Sequence, residues 1–195
     1  MNLLLRITIL LLIAVGLSCM KDRTFPLPPG NIIGPGGKDD IQVGTLRVNE
    51  IVATGSTLDN SLTPASDWIE LFNTTQDTIV LKEGQWYMSD SLNRPEKQKL
   101  PELTIMPRGY LIVWADSKDT LVYEGGVLKE VHVKFGLNKD MEDVVLFYKK
   151  NSTEKFVVDY ISYGPQQNGK SYGRMPDGTS NIDFLTPTPL EANKL

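Results

Sequence analysis

From Leu46 onward, the chain consists of short apolar runs separated by polar turn residues. In "LRVNEIVAT" and "DWIELFNTT" apolar and polar residues alternate, a period of two that is typical of β-strands. The pattern predicts strands at residues 46–54, 67–75, 77–81, 85–91, 110–117, 127–135, 143–150 and 156–164. The runs at 67–75 and 77–81 are predicted to form a hairpin. No helical period follows the N-terminal segment, so the pattern favours an all-β sandwich or barrel.

The N-terminal segment, "MNLLLRITILLLIAVGLSC", has the features of an export signal. Arg6 precedes an apolar run at residues 7–17 that is short for a bilayer span but typical of a signal peptide. The run ends at Cys19, the single cysteine of the chain. We therefore predict a lipoprotein signal peptide at residues 1–18 and lipidation of Cys19. Gly16 departs from the aliphatic residue usual at that position, and the alternative is an ordinary secreted protein with an incidental cysteine.

Residues 19–45 are rich in proline, glycine and charged residues and show little periodicity. Such a segment buries too little apolar surface to offset its ordering entropy, so we predict a flexible tether. The folded domain is then predicted at residues 46–195. A lipidated Cys19 predicts a protein anchored to the cell envelope, with the outer membrane as the expected location.

Composition excludes several classes of function. The chain carries 20 Lys and Arg against 24 Asp and Glu, a formal net charge of −4, and the basic residues form no stripe. Nucleic acid is therefore not an expected partner. One cysteine allows no internal disulfide, and a single histidine, His132, allows no Cys/His zinc site within one chain.

Two glutamates stand in apolar runs and are the main candidates for chemistry. Strand alternation places Glu70 on one face with Trp68 and Phe72, while Asp67 points the other way. The same alternation places Glu50 between Val48 and Val52, on a face that is expected to be buried. A buried carboxylate needs hydrogen bonds, a counter-charge or a proton. The candidate partners are Arg174, backbone or indole N–H groups, and a hard cation.

The sequence supports an enzyme active site at these residues less well than a structural role. Glu50 and Glu70 are a distant candidate for a glycoside hydrolase pair, but their apolar neighbours predict burial and not a sugar cleft. A serine triad would require His132, which we expect to be solvated on the polar face of its strand with Glu130 and Lys134. The acidic turn at residues 137–143 lacks the spacing of a calcium loop. We therefore predict no catalytic residue, no cofactor and no metal.

A series of motifs in order along the chain resembles the lamin tail domain family, in its bacterial lipoprotein branch. The motifs are "NEIVA", "SDWIELFN", "WYMSDS", "PRGYLIVWAD", "HVKFGLNKDMEDVVLFY", "VVDYISYG", "SYGRMPDGT" and "FLTPTPLEAN". They extend over residues 44–193. The resemblance implies an immunoglobulin-like β-sandwich without a shared catalytic activity. It also implies a structural role for the signature residues, which are Glu50, Asp67, Trp68, Glu70, Asn73 and Arg174.

These observations predict a non-catalytic binding, scaffolding or adhesion module on the cell envelope. An envelope protein or a surface glycan is the expected partner, in addition to the membrane itself. Tyr163 and Tyr172 are candidate ligand contacts, and packing inside the sandwich is the alternative for both. The second functional hypothesis is a carbohydrate-binding accessory protein of an envelope polysaccharide system.

Replacement of Cys19 tests the anchor. Cys19→Ala should move the protein from the membrane fraction to the soluble fraction, because the acyl chains supply the membrane affinity. The measurement is fractionation of cells followed by immunoblotting. Unchanged retention in the membrane fraction would show that the cysteine is not the anchor.

Overall fold

The computed structural model describes residues 44–195, and all regular secondary structure in that range is β-strand. The signal peptide predicted at residues 1–18, Cys19 and nearly all of the tether predicted at 19–45 lie outside the described residues. Within the described part, no helix is long and apolar enough to cross a bilayer. The strands are β1 Leu46–Val52, β2 Trp68–Asn73, β3 Ile79–Leu81, β4 Trp86–Ser89, β5 Gln98–Lys99, β6 Leu103–Ile105, β7 Tyr110–Trp114, β8 Thr120–Glu124, β9 Val127–His132, β10 Glu142–Lys149, β11 Lys155–Tyr163, β12 Ser171–Arg174 and β13 Ile182–Leu185.

The strands form three sheets, and the all-β sandwich-like architecture confirms the predicted fold class. A seven-stranded sheet has the order β13-β12-β1-β2-β7-β9-β8, and a four-stranded sheet has the order β11-β10-β4-β5. The short strands β3 and β6 form a separate pair. Neighbouring strands are antiparallel except β7 and β9, which run parallel.

The main core lies between the two large sheets. Ile69 and Leu71 of β2 face Trp86, Val144 and Leu146 of the four-stranded sheet in one buried cluster. Since successive side chains of a strand point to opposite faces, Trp68 lies on the other side of β2. There it packs in a second cluster with Val52 and Trp114. The outer face of the seven-stranded sheet is therefore also covered where β1, β2 and β7 meet.

A β-bulge at Asn49 decides which way Glu50 points. The pairing of β1 with β2 passes from Val48 opposite Leu71 directly to Glu50 opposite Glu70, so Asn49 is an extra residue. Val48 faces the main core, but after the bulge Ile51 does so and Glu50 does not. The expectation that Val48 and Glu50 share a face was wrong, because simple alternation does not include the inserted residue.

The predicted hairpin of residues 67–75 and 77–81 was also wrong. β2 pairs with β1 and β7, whereas β3 pairs with β6 outside the main sheet. Asn73 at the end of β2 explains the divergence. Its side-chain amide donates to the backbone carbonyls of Asp77 at 2.7 Å and Met106 at 2.9 Å, which turns the chain out of the sheet.

The close approach of β12 to β1 requires a glycine and gives a stability test. A Cβ atom at Gly173 would lie 2.6 Å from the carbonyl oxygen of Asn49 and 3.0 Å from the Cα of Glu50. Gly173→Ala should lower the free energy of unfolding by about 1–3 kcal/mol, because the backbone must shift to admit the methyl group. The measurement is urea denaturation. Gly164→Ala is the matched control, because a Cβ there meets no atom within 4 Å. Equal stability of the two variants would contradict this packing.

Candidate functional site

The two glutamates lie side by side on neighbouring strands, and both are fully buried. Glu50 on β1 is the direct cross-strand partner of Glu70 on β2, and each has a relative exposure of 0%. Like-charged side chains directly opposite each other destabilise a sheet, and burial increases that cost. The arrangement therefore depends on the groups that cover the two carboxyls.

The C-terminal segment, residues 186–195, supplies this cover. The backbone N–H of Leu190 donates to Oε2 of Glu70 at 2.7 Å, and that of Thr188 donates to Oε1 of Glu50 at 3.2 Å. Leu190 has a φ of 63°, a left-handed conformation that is uncommon for a leucine. The distorted backbone thus lies where its amide meets a buried carboxyl. Of the three partners considered for the glutamates, backbone N–H groups are the ones found here.

The bulge residue Asn49 connects Glu70 to a third carboxylate. Its side-chain amide donates to Oε1 of Glu70 and to Oδ1 of Asp177, both at 3.1 Å. Asp177 also accepts from the hydroxyl of Tyr110 at 2.7 Å and from the backbone N–H of Asn193 at 3.0 Å. We refer to Glu50, Glu70 and Asp177 with their donors as the carboxylate cluster.

Burial determines the protonation of this cluster. It raises the pKa of Glu70 to about 8, and the nearby carboxylates of Glu50 and Asp177 act in the same direction. The N–H donors from Leu190 and Asn49 oppose the shift without cancelling it. Burial also raises the pKa of Glu50. Near neutral pH the cluster therefore retains a proton, which limits the repulsion between the carboxyls.

The carboxylate cluster has a structural geometry and not that of an open catalytic site. The two glutamates have no exposed surface, whereas a glycosidase pair flanks a substrate cleft. Among residues 44–195, no group of three or more His, Cys, Asp or Glu side chains is arranged to hold a metal ion. In this structure the glutamates serve to fix the C-terminal segment against β1 and β2.

Arg174, one of the candidate partners of the glutamates, lies elsewhere and does not pair with them. Its Nη2 lies 3.0 Å from Oδ2 of Asp159 on β11, and its Nε donates to the carbonyl of Val48 at 2.8 Å. Asp159 also accepts from Nη1 of Arg47 at 2.8 Å. These three charged side chains bridge β1 and β12 to β11 at one side of the sandwich. Sequence reasoning missed Asp159, although an acid inside the apolar run "FVVDYISY" was the available signal.

A cavity of about 430 Å³ lies beside this charged bridge. Its wall includes Arg47, Asp159, Tyr160, Ser162, Arg174 and Ile182. Arg174 and Asp159 are almost completely buried, whereas the Arg47 side chain is 22% exposed and the Tyr160 residue 43%. Charged, aromatic and apolar residues therefore line the same cavity.

His132 is buried and not solvated, which corrects the sequence-based expectation. Its Nδ1 lies 2.8 Å from Asp116 and its Nε2 3.1 Å from Glu130, and the residue is 1% exposed. β9 lies between β7 and β8, so both sides of the histidine are covered. The Ser61 hydroxyl donates to Glu130 and not to His132, so this group is not arranged as a nucleophile and its base.

The other candidate residues have structural surroundings. Tyr163 is 2% exposed and packs in the main core, which is the alternative considered for it, and not a surface contact with a ligand. Tyr172 is half-buried and packs against Phe184 with ring centroids 5.1 Å apart. Asp67 is half-buried, and burial raises its pKa to about 6.

The comparison with protein families agrees with this architecture. The sequence model described as Lamin Tail Domain matches residues 40–165. The chain belongs to the lamin tail domain family. The matched residues include both glutamates but end before Arg174 and the C-terminal segment of this lamin tail domain protein. Searches of curated proteins and of solved structures gave no match.

The pKa of Glu70 predicts how stability depends on pH. The folded-state pKa of about 8 exceeds the ordinary value of 4.5, so the folded protein binds this proton more tightly than the unfolded chain. Stability from this proton is fully present below pH 4.5 and is lost as the pH rises through 8. The slope between these values is about 1.4 kcal/mol per pH unit for one proton.

Glu70→Gln should remove this dependence. At pH 5 the variant should be less stable by about 1–3 kcal/mol, because one amide N–H of glutamine must oppose the donor of Leu190 or Asn49. The difference from the wild type should shrink towards pH 8. Urea denaturation at several pH values measures both effects, with exposed Glu102→Gln as the control. Parallel pH profiles for Glu70→Gln and the wild type would contradict a buried, protonated Glu70.

Proposed function

We propose that this lamin tail domain protein is a lipid-anchored binding or scaffolding module of the cell envelope. The family is one of non-enzymatic immunoglobulin-like domains, which generally serve as binding modules. The predicted signal peptide and Cys19 support attachment to a membrane through acyl chains. The carboxylate cluster is used internally, so its acids are not presented to a substrate. Binding then depends on the outer surface of the sandwich.

An exposed apolar hairpin is the observation that carries this proposal. β8 and β9 form a hairpin that turns at Gly125 and Gly126, and β8 is the last strand of the seven-stranded sheet. Leu121 and Tyr123 share one face of β8 and are 37% and 58% exposed. Val127 of β9 pairs with Glu124, so it lies on the other face of the hairpin, where it is 58% exposed. Edge strands are usually protected against association, and clustered apolar exposure marks contact surfaces. The hairpin is therefore the proposed contact with an envelope partner.

Capture from intact envelopes tests this surface. The double variant Leu121→Ser, Tyr123→Ser should capture at least about tenfold less partner than the full wild-type chain. The reason is that large side chains at the centre of a contact contribute most of its energy. Quantitative mass spectrometry after crosslinking gives the readout. Met141→Ser is the matched control, because Met141 is 68% exposed but lies outside the hairpin. Equal capture by the double variant and the control, with unchanged melting temperatures, would contradict the proposed surface.

A carbohydrate-binding accessory protein remains the second candidate. In the described residues, the aromatic side chains with large exposure are Tyr123 and Tyr160, and they belong to different sheets. They do not form the row of coplanar rings that binds a long glycan. The observation that favours a sugar is local: Tyr160 lies beside Arg47 in the wall of the 430 Å³ cavity.

A further inference from the structure

We propose that the cavity beside Arg47 and Tyr160 binds a carboxylated sugar, such as the hexuronate unit of an acidic glycan. The inference rests on the proposed binding function and names a ligand class for one site. We refer to this site as the Arg47 pocket, defined by Arg47, Asp159, Tyr160, Ser162, Arg174 and Ile182. Its volume of about 430 Å³ lies in the range of pockets that hold small molecules.

The charge balance of the pocket favours an anion. Two guanidinium groups, of Arg47 and Arg174, meet the single carboxylate of Asp159. All three nitrogens of Arg174 are engaged inside the protein, with Val48, Thr179, Tyr160 and Asp159. The Arg174–Asp159 pair is therefore internal, and the second positive charge remains at the more exposed Arg47. In a partly desolvated cavity, a carboxylate from a ligand would compensate that charge.

The position of Arg47 is fixed before a ligand arrives. Its Nη1 donates to Asp159 at 2.8 Å, and its Nε donates to the carbonyl of Gly178 at 3.2 Å. A guanidinium held at two points loses little further freedom on binding, and its planar fork suits a carboxylate. This geometry distinguishes the pocket from the surface lysines of the domain.

The remaining wall favours a sugar ring as the body of the ligand. Tyr160 is one of the residues that line the cavity and is 43% exposed, and a tyrosine face is suited to the apolar side of a sugar. The hydroxyl of Ser162 donates to Asp143 at 2.6 Å, which leaves its oxygen able to accept from a sugar hydroxyl. A neutral sugar would use these two groups but not the charge of Arg47.

Titration calorimetry of the full chain in detergent tests the pocket, with glucuronate, a short oligouronate and the matching neutral glucose ligands. The uronates should bind at least about tenfold more tightly than the neutral sugars. Arg47→Gln and Tyr160→Ala should each weaken uronate binding about tenfold or more, whereas exposed Lys139→Gln should leave it unchanged. Tyr160→Ala keeps the test valid if loss of the Arg47–Asp159 contact unfolds the chain, because the structure gives the Tyr160 ring no hydrogen bond.

Asp39 and Asp40 precede Gly44 by a few residues and carry the same charge as the proposed ligand, so the titration is repeated with Asp39→Asn, Asp40→Asn. The proposal is supported if the wild type or this double variant binds uronate and the Tyr160→Ala substitution abolishes that binding. The absence of binding by both chains overturns it. Equal affinity for glucose also overturns it. If the pocket fails while the β8–β9 hairpin still determines envelope capture, the proposed function stands without this site.

Discussion

Two carboxyl groups that face each other in a dry interior are the constraint on which the rest of this structure depends. Glu50 and Glu70 are cross-strand neighbours without solvent exposure, so their charge must be compensated by donors or removed by a proton. Amides of Thr188 and Leu190 approach from the C-terminal segment, and Asn49 approaches from the bulge. The bulge and the path of the C-terminus thus satisfy the same requirement.

The second group of charges acts at one side of the sandwich, where the edge strand β11 faces β1 and β12. No backbone ladder joins β11 to these strands in the described residues; Asp159 bridges them through Arg47 and Arg174. Replacing one partner of such a buried pair leaves the other charge uncompensated, which typically costs about 3–5 kcal/mol. The buried charged residues, which the sequence offers as candidates for chemistry, therefore largely serve to hold strands together. Partner binding is left to the exposed hairpin and to the Arg47 pocket.

Alternation along the chain was sufficient to predict the all-β class and most of the longer strands. It could not predict the bulge at Asn49, because an inserted residue changes the face of every residue that follows until the register is restored. The short strand β8 was missed because it is a brief apolar run between polar residues and a Gly-Gly turn. For the same reason, the exposed apolar surface of its hairpin was not expected.

The partners of individual charged residues were the least predictable feature. Residue types alone allowed Arg174 to pair with Glu50 or Glu70, and only the three-dimensional arrangement shows that Asp159 is nearer. The burial of His132 depends on its neighbours β7 and β8, which are not visible in the pattern of β9 itself. Burial of the two glutamates was expected from their apolar neighbours, but the C-terminal segment that covers them gave no periodic signal.

Native-state hydrogen exchange of the Thr188 and Leu190 amides tests the central claim most directly. If these N–H groups are hydrogen-bonded to buried carboxyls, they should be protected nearly as strongly as amides of β1 and β2, although they lie within eight residues of the C-terminus. Exchange of both amides at the rate of an unstructured chain would contradict the account, because the glutamates would then lack the cover that allows them to be buried.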